Sequence, residues 1–254
     1  MTTEDNRIVE ALRFEVFANM SGSKAKVEGL LSQYETTFGR DVKYLFYGIL
    51  FHISHSQTTL AKEGMSQLRS ICNSTITNHF LEGMLWFHMG ERKKGKNSLR
   101  QLCACVRNQT DMSGVDRVAA EQGLLHFGKL LLESKRFDEG LGVTELLCLT
   151  SSGFLPGWEL YGDFLLLKDN SKDAISCYER CQQLGGAVVS KLANAYYSEC
   201  MFVKCLNLYL CDDSLVRDKT YDSCKLKLFT DVVGMCRQSV CWSSRLLVDC
   251  PLAL

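Results

Sequence analysis

Residues 158–181 read WELYGDFLLLKDNSKDAISCYERC, and this stretch decides the fold. Apolar side chains recur every three or four positions before and after the polar turn at 168–173, which is the periodicity of half-buried helices. Gly162 precedes Ala174 by twelve residues, and Tyr178 follows four residues later. Two helices of one hairpin approach closely where small side chains meet, so this spacing predicts an antiparallel helix hairpin.

The same spacing of a small, a small and a large residue recurs along the chain. Glycine inside a helix costs about 0.5–1 kcal/mol relative to alanine, so its recurrence at one place in the pattern indicates a steric demand. The first small residues are separated by 35, 45, 34 and 31 residues, which is one period with a single insertion. The matches are Gly83, Gly95 and Leu99; Gly128, Gly140 and Thr144; Ala193, Cys205 and Tyr209; and, with a turn four residues longer, Gly48, Gly64 and Leu68.

This repetition predicts an all-α fold, a superhelical solenoid of antiparallel helix hairpins with about five to six repeats. The chain has only two prolines, Pro156 and Pro251, which suits long helices. We expect residues 1–254 to form a single helical-repeat domain, with the insertion in a polar loop at 107–115. Within that domain we expect an opening hairpin at 5–38, the repeats at 40–210, and closing helices at 219–254. The apolar end at 246–254 either tucks into the stack or indicates a shortened form of a longer solenoid.

The 158–181 hairpin resembles the tetratricopeptide repeat, a helix-turn-helix unit of about 34 residues. Trp158, Gly162, Ala174 and Tyr178 match its pattern, whereas Tyr161 stands where the family has Leu and Leu165 where it has Tyr. The resemblance covers residues 40–210, and the other units match it less closely. The order of the elements is also similar to the N-terminal part of the tetratricopeptide subunit of the intraflagellar transport A complex, which implies a ciliary role.

Composition and charge exclude several classes of protein. Lys plus Arg and Asp plus Glu both number 29, so the chain lacks the overall positive charge of a general nucleic-acid or membrane-surface binder. The acidic start is unlike a secretory signal, and no apolar run is long enough for a membrane span. The 13 cysteines are an odd number in a large chain, which indicates reduced thiols in a cytoplasmic protein.

No pattern in the sequence predicts catalysis, a cofactor or a metal. The Gly-x-Ser-x-Gly elbow and the phosphate-binding glycine loop are both absent. His52 and His55 could share one helix face, but no third ligand lies near them. The cysteine pairs at 103 and 105, 177 and 181, and 236 and 241 lack zinc-finger spacing, so we interpret them as core thiols.

We therefore expect a non-catalytic scaffold or adaptor. The tetratricopeptide resemblance implies that the first helices of successive hairpins line a groove for a partner helix, an extended peptide or another solenoid. The alternative is that the superhelix itself or the N-terminal hairpin fills this groove. Counted from the first small residue of each unit, the groove residues are Leu45, Ile49, His52, Phe80, Met84, Phe87, His88, Lys129, Glu133, Asp163, Asn194 and Tyr197.

Two other functions remain open. The basic cluster Arg92–Lys96 could dock on RNA or DNA, which would make binding steeply dependent on salt. Alternatively, the many cysteines could make the protein a thiol-regulated or metal-holding helical module.

Overall fold

A computed structural model describes residues 3–18, 24–109, 111–112, 114–211, 222–228 and 230. These residues contain helices and no strand, which confirms the all-α prediction. Residues 222–228 are helical and follow the last of the twelve helices named here. The twelve are α1 (Thr3–Ala18), α2 (Lys24–Phe38), α3 (Val42–Ser54), α4 (Thr58–Ile71), α5 (Thr75–His88), α6 (Arg92–Asn108), α7 (Gly114–Glu133), α8 (Phe137–Thr150), α9 (Leu155–Leu167), α10 (Ser171–Gln183), α11 (Val189–Ser198) and α12 (Phe202–Cys211).

Each odd-numbered helix packs most closely against the next even-numbered one, so the described chain is a series of six hairpins, as the repeats predict. The hairpins fall into two compact units, Met1–Ser152 with the first four and Gly153–Leu254 with the last two. Helices α1 and α2 occupy the region expected for an opening hairpin. The closing helices expected at 219–254 lie largely outside the described residues, and so does the apolar C-terminal end.

Five of the hairpin turns share one backbone geometry. Each contains a residue with positive φ: Ser56, Gly90, Lys135, Asp169 or Cys200. The backbone N–H of the following residue donates to the carbonyl five positions earlier, over distances of 2.8–3.0 Å. This is the Schellman helix ending, in which a left-handed residue lets the chain reverse while its last carbonyls stay bonded. Four of these five residues are not glycine, so glycine alone could not have marked the turns in the sequence.

The predicted close approach of paired helices is present where glycine meets a large side chain. A Cβ added at Gly162 in α9 would lie 2.6 Å from the nearest ring carbon of Tyr178 in α10. A Cβ added at Gly83 in α5 would lie 3.2 Å from a methyl carbon of Leu99 in α6. The first small residue and the large one sixteen positions later are therefore direct partners in these two hairpins.

The match proposed for the α3–α4 hairpin, Gly48 with Gly64 and Leu68, is wrong. Its first position is one residue later in the chain. Its turn has the same length as the others, because Ser56 stands two residues after α3 as Gly90 stands two residues after α5. A Cβ at Gly48 would meet nothing within 4 Å. The residue equivalent to Gly83 is instead Ile49, which is buried together with Ala61 and Met65 at the next two positions of the pattern. The sequence pattern requires a small residue at its first position, so it could not identify Ile49 there.

The insertion predicted at 107–115 lies between the third and fourth hairpins. Most of its extra residues lengthen α6 and α7, and few of them form a loop. Helix α6 runs to Asn108 with 17 residues and α7 begins at Gly114 with 20, whereas α5 has 14. Asp116 in the first turn of α7 accepts a hydrogen bond of 2.6 Å from the Thr77 hydroxyl and another from the Ser74 hydroxyl. The extension therefore ties α7 to the beginning of α5.

Candidate functional site

The inner face of the first unit is where helices α1, α3, α5 and α7 meet. Phe17 of α1 lies at its centre, with ring centroids 6.3 Å from Tyr47 of α3 and 6.5 Å from Phe80 of α5. Phe46 of α3 also contacts Phe80, with centroids 5.9 Å apart. Aromatic pairs at these distances pack favourably, so α1 lies on the first helices of the following hairpins.

Two crevices of about 170 Å³ each flank Phe17 on this face. Both are lined by Phe17, Met84 and His126. The first crevice is largely apolar, and the second opens beside Lys129. The first is completed by Val16, Leu50, Ile53, Ser54, Phe87 and His88, and the second by Phe80, Gln122, Leu125 and Lys129.

His126 is the polar group shared by both crevices. Burial, followed by the positive charge of Lys129, lowers the pKa of its imidazole. The ring packs edge-on against Phe87 with centroids 5.1 Å apart. Among the described residues, its buried Nε2 has no hydrogen-bond partner. The imidazole is therefore neutral at pH 7, and one of its nitrogens can still bond to a group entering the crevices.

Two ion pairs hold α1 in place. Arg13 reaches Glu121 of α7 over 2.6 Å, and the Glu121 side chain is only 9% exposed. Lys26 of α2 pairs with Glu15, which is buried on α1. A buried carboxylate needs such a partner because desolvation makes an unpaired charge costly. The N-terminal helix thus occupies part of the face that the sequence assigns to a partner.

Five of the predicted groove residues lie at the two crevices. Phe80 and Met84 are buried, Phe87 is half-buried, and His88 and Lys129 are exposed. Their positions agree with counting from Gly83 and Gly128, the small residues of α5 and α7. The structure therefore brings the predicted residues of α5 and Lys129 of α7 together in one place.

Leu45, Ile49 and His52 lie on the other side of α3. They line a separate cleft of about 460 Å³ between α2, α3 and α4. Each residue turns an α-helix by about 100°, so counting from Gly48 instead of Ile49 selects the neighbouring face. With the corrected start, the inner residues of α3 become Phe46, Leu50, Ile53 and Ser54, all of which contact Phe80 or line the first crevice.

The remaining predicted residues line neither crevice. Glu133 is exposed in the last turn of α7, and Asn194 is exposed on α11. In the second unit, Asp163 accepts hydrogen bonds from the Tyr178 hydroxyl and from Lys191 Nζ, both over 2.7 Å. Tyr197 packs edge-on against Phe202 with centroids 5.7 Å apart. Asp163 and Tyr197 therefore have partners within their own unit.

The basic cluster at the start of α6 is engaged in local contacts. Lys94 lies 4.6 Å from the ring centroid of Trp86, and Lys96 donates to the Ser134 hydroxyl over 3.0 Å. Arg100, one turn further on, bonds to Glu139 over 3.1 Å. Lys96 and Arg100 therefore join the third and fourth hairpins, whereas Lys94 packs within its own hairpin.

The described residues form no cluster of three or more side chains suited to a metal ion. Burial raises the pKa of the Cys103 and Cys177 thiols to about 12 and that of Cys181 to about 11. These thiols stay protonated at neutral pH, as core cysteines do. No helix in the described ranges is both long and apolar enough to cross a membrane.

Comparison with known proteins adds little to this description. No protein-family model and no curated protein matches the chain. A solved structure of MamA AMB-1 superposes with a TM-score of 0.40 and 9% identity, covering 72% of this chain and 92% of that one. A mutant of MamA gives a TM-score of 0.38 and 9% identity, over 71% and 97% of the two chains. The fold assignment rests on the helix hairpins themselves.

Proposed function

We propose that this protein is a non-catalytic scaffold or adaptor that binds partner proteins on the inner face of its first unit. The observation that carries the proposal is the pair of crevices beside Phe17, which open between helices that are otherwise closely packed. Apolar pockets with a few polar groups at their edges are the usual anchor sites of protein interfaces.

The size of the crevices indicates what enters them. An apolar cavity of about 150 Å³ holds a benzene ring, so each crevice has room for one large apolar side chain. Two neighbouring anchors suit a short helix or an extended peptide that presents two such side chains. The exposed Lys129 and His88 at the edges would contact the polar part of this ligand, and His126 would offer it a hydrogen bond.

The finer assignment, a subunit of a larger complex such as the intraflagellar transport A assembly, rests on the order of the sequence elements alone. It would place the protein in the cytoplasm and at the cilium. RNA or DNA is the less favoured ligand, because two of the four basic side chains of the cluster, Lys94 and Lys96, contact Trp86 and Ser134.

Photo-crosslinking tests the proposed face. A photo-reactive amino acid replaces His88 or Lys129, and in controls it replaces Lys62 of α4 or Glu145 of α8, which are exposed but line neither crevice. We expect one set of partner proteins to crosslink from positions 88 and 129 but not from 62 and 145. Equal crosslinking from all four positions, or none from any, would refute binding on this face.

A matched pair of methionine variants provides the second test. Met84 lines both crevices, whereas Met89 is exposed just after α5 and lines neither. We expect Met84→Gln to remove the crosslinks from position 129 and Met89→Gln to leave them. Circular dichroism of both variants verifies that the helices persist, and retention of the crosslinks in a folded Met84→Gln protein would count against the crevices.

A further inference from the structure

Two buried cysteines in the second unit lie side by side although 19 positions separate them. Cys205 belongs to α12 and Cys224 to the helical residues 222–228, and both are fully buried. Their sulfur atoms are 3.2 Å apart. The Cys224 thiol donates to Cys205, and the Cys205 thiol in turn donates to the backbone carbonyl of Ala193 over 3.4 Å. Both sulfurs are therefore held in place before any bond forms between them.

We propose that Cys205 and Cys224 are a site of reversible disulfide formation that ties residues 222–228 to α12. A disulfide requires sulfurs at about 2.05 Å, so the two atoms must approach by only about 1 Å. The site is independent of the partner-binding face, which lies in the first unit.

The oxidant is a small disulfide of the glutathione class. Both thiols are fully buried, so the exchange begins when residues 222–228 detach and expose Cys224. The Cys224 thiolate then attacks a sulfur of oxidised glutathione, which forms a mixed disulfide and releases one reduced glutathione. The thiolate of the second cysteine then attacks the protein sulfur of that mixed disulfide and releases the second glutathione. Two protein protons are lost, the cysteine pair is oxidised by two electrons, and one oxidised glutathione is reduced to two thiols.

Another cysteine pair shows why proximity in the sequence does not suffice. Cys177 and Cys181 are buried one turn apart on α10. Residues at this spacing have Cβ atoms about 5–6 Å apart, whereas a disulfide needs about 3.5–4.5 Å. The Cys205–Cys224 pair joins two separate segments and is free of this geometric constraint.

The bond would restrict the end of the second unit. In the reduced protein, residues 222–228 are held by the burial of Cys224 and by Lys227, whose Nζ lies 5.5 Å from the Tyr197 ring centroid and 5.3 Å from that of Phe202. A crosslink that closes a loop of this length lowers the population of detached states by about a hundredfold. Oxidation would therefore turn a weakly attached segment into a fixed part of the last hairpin.

The test treats the 254-residue chain with oxidised glutathione, blocks the remaining thiols with iodoacetamide, and identifies linked tryptic peptides by mass spectrometry without reduction. Trypsin leaves Cys205 and Cys211 in one peptide, so fragment ions between Leu206 and Leu210 must show which of the two is linked. We expect the wild type to contain the Cys205–Cys224 link, and added dithiothreitol to remove it. We also expect the oxidised protein to release residues 222–228 to protease about a hundredfold more slowly than the reduced one.

Two variants sharpen the test. Cys224→Ser should lose both the link and the protease protection, whereas Cys200→Ser removes an exposed thiol of the neighbouring turn and should retain both. The wild-type measurement decides the question even if Cys224→Ser folds poorly. A folded wild type that gives only glutathione adducts, or that links Cys224 to Cys211, would overturn the proposal.

Discussion

The contact between Gly162 and Tyr178 gives a sharp prediction for Gly162→Ala. A new Cβ would lie 2.6, 2.9 and 3.1 Å from three carbons of the Tyr178 ring. The ring cannot easily withdraw, because it is fully buried and its hydroxyl bonds to Asp163 over 2.7 Å. Overpacking of this kind costs about 1–3 kcal/mol, and a strained hydrogen bond to a carboxylate costs up to about 1.5–3 kcal/mol more. Alanine restores about 0.5–1 kcal/mol of helix propensity, so the net destabilisation should be about 2 kcal/mol.

Urea unfolding followed by circular dichroism measures this loss. The control is Gly48→Ala, also inside a helix, where a new Cβ meets nothing within 4 Å and helix propensity should stabilise the protein by about 0.5–1 kcal/mol. In a Tyr178→Leu background the second unit would have the glycine–leucine pairing seen at Gly83 and Leu99, and Gly162→Ala should then be nearly neutral. If Gly162→Ala stabilises the protein as much as Gly48→Ala does, the Tyr178 ring does not restrict position 162.

Three further changes test other parts of the structure. Arg13→Ala leaves the Glu121 carboxylate buried without its ion-pair partner. Amide hydrogen exchange in α1 should therefore become about tenfold faster. Unchanged exchange would show that α1 does not depend on this pair. Ala61 is fully buried at the corrected close approach of α3 and α4. Ala61→Leu should therefore lower the free energy of unfolding by about 2 kcal/mol. A neutral result in urea unfolding would contradict this pairing of α3 with α4. Burial lowers the pKa of His126 below its usual 6.5, so the unfolded chain binds the proton more readily than the folded protein does. The free energy of unfolding should therefore fall as the pH drops from about 6.5 towards the folded-state pKa. His126→Leu should weaken this pH dependence in denaturation measured between pH 7.5 and 5, and an unchanged slope would assign it to other groups.

Much of the architecture could be predicted because each hairpin carries its own local pattern. The pattern around Gly162 locates both helices, the turn and the glycine–tyrosine contact of its hairpin. The same pattern failed in the α3–α4 hairpin, where the buried Ile49 occupies the position at which the pattern expects a small residue. A large side chain can fill that position if a residue of the paired helix leaves space for it. Gly64 does so, because a Cβ added there would lie 2.8 Å from a side-chain carbon of Ile49.

The candidate site was predictable only in part for the same reason. Phe80, Met84 and Phe87 could be placed on the inner face because Gly83 is a reliable starting point. An error of one residue in α3 moved Leu45, Ile49 and His52 to a different cleft. The role of Phe17 had no signal in the sequence, because nothing local to α1 tells which distant helix its ring will meet.

The sequence by itself determined the helices, their pairing into hairpins and their approximate period, since these depend on interactions between residues close together in the chain. Tertiary structure alone decided the rotation of α3, the position of α1 on the inner face, the conversion of an insertion into longer helices, and the meeting of Cys205 with Cys224. These features depend on which side chains fit against residues far away in the chain. The helical period limits which face a residue can occupy, but close packing selects its partner.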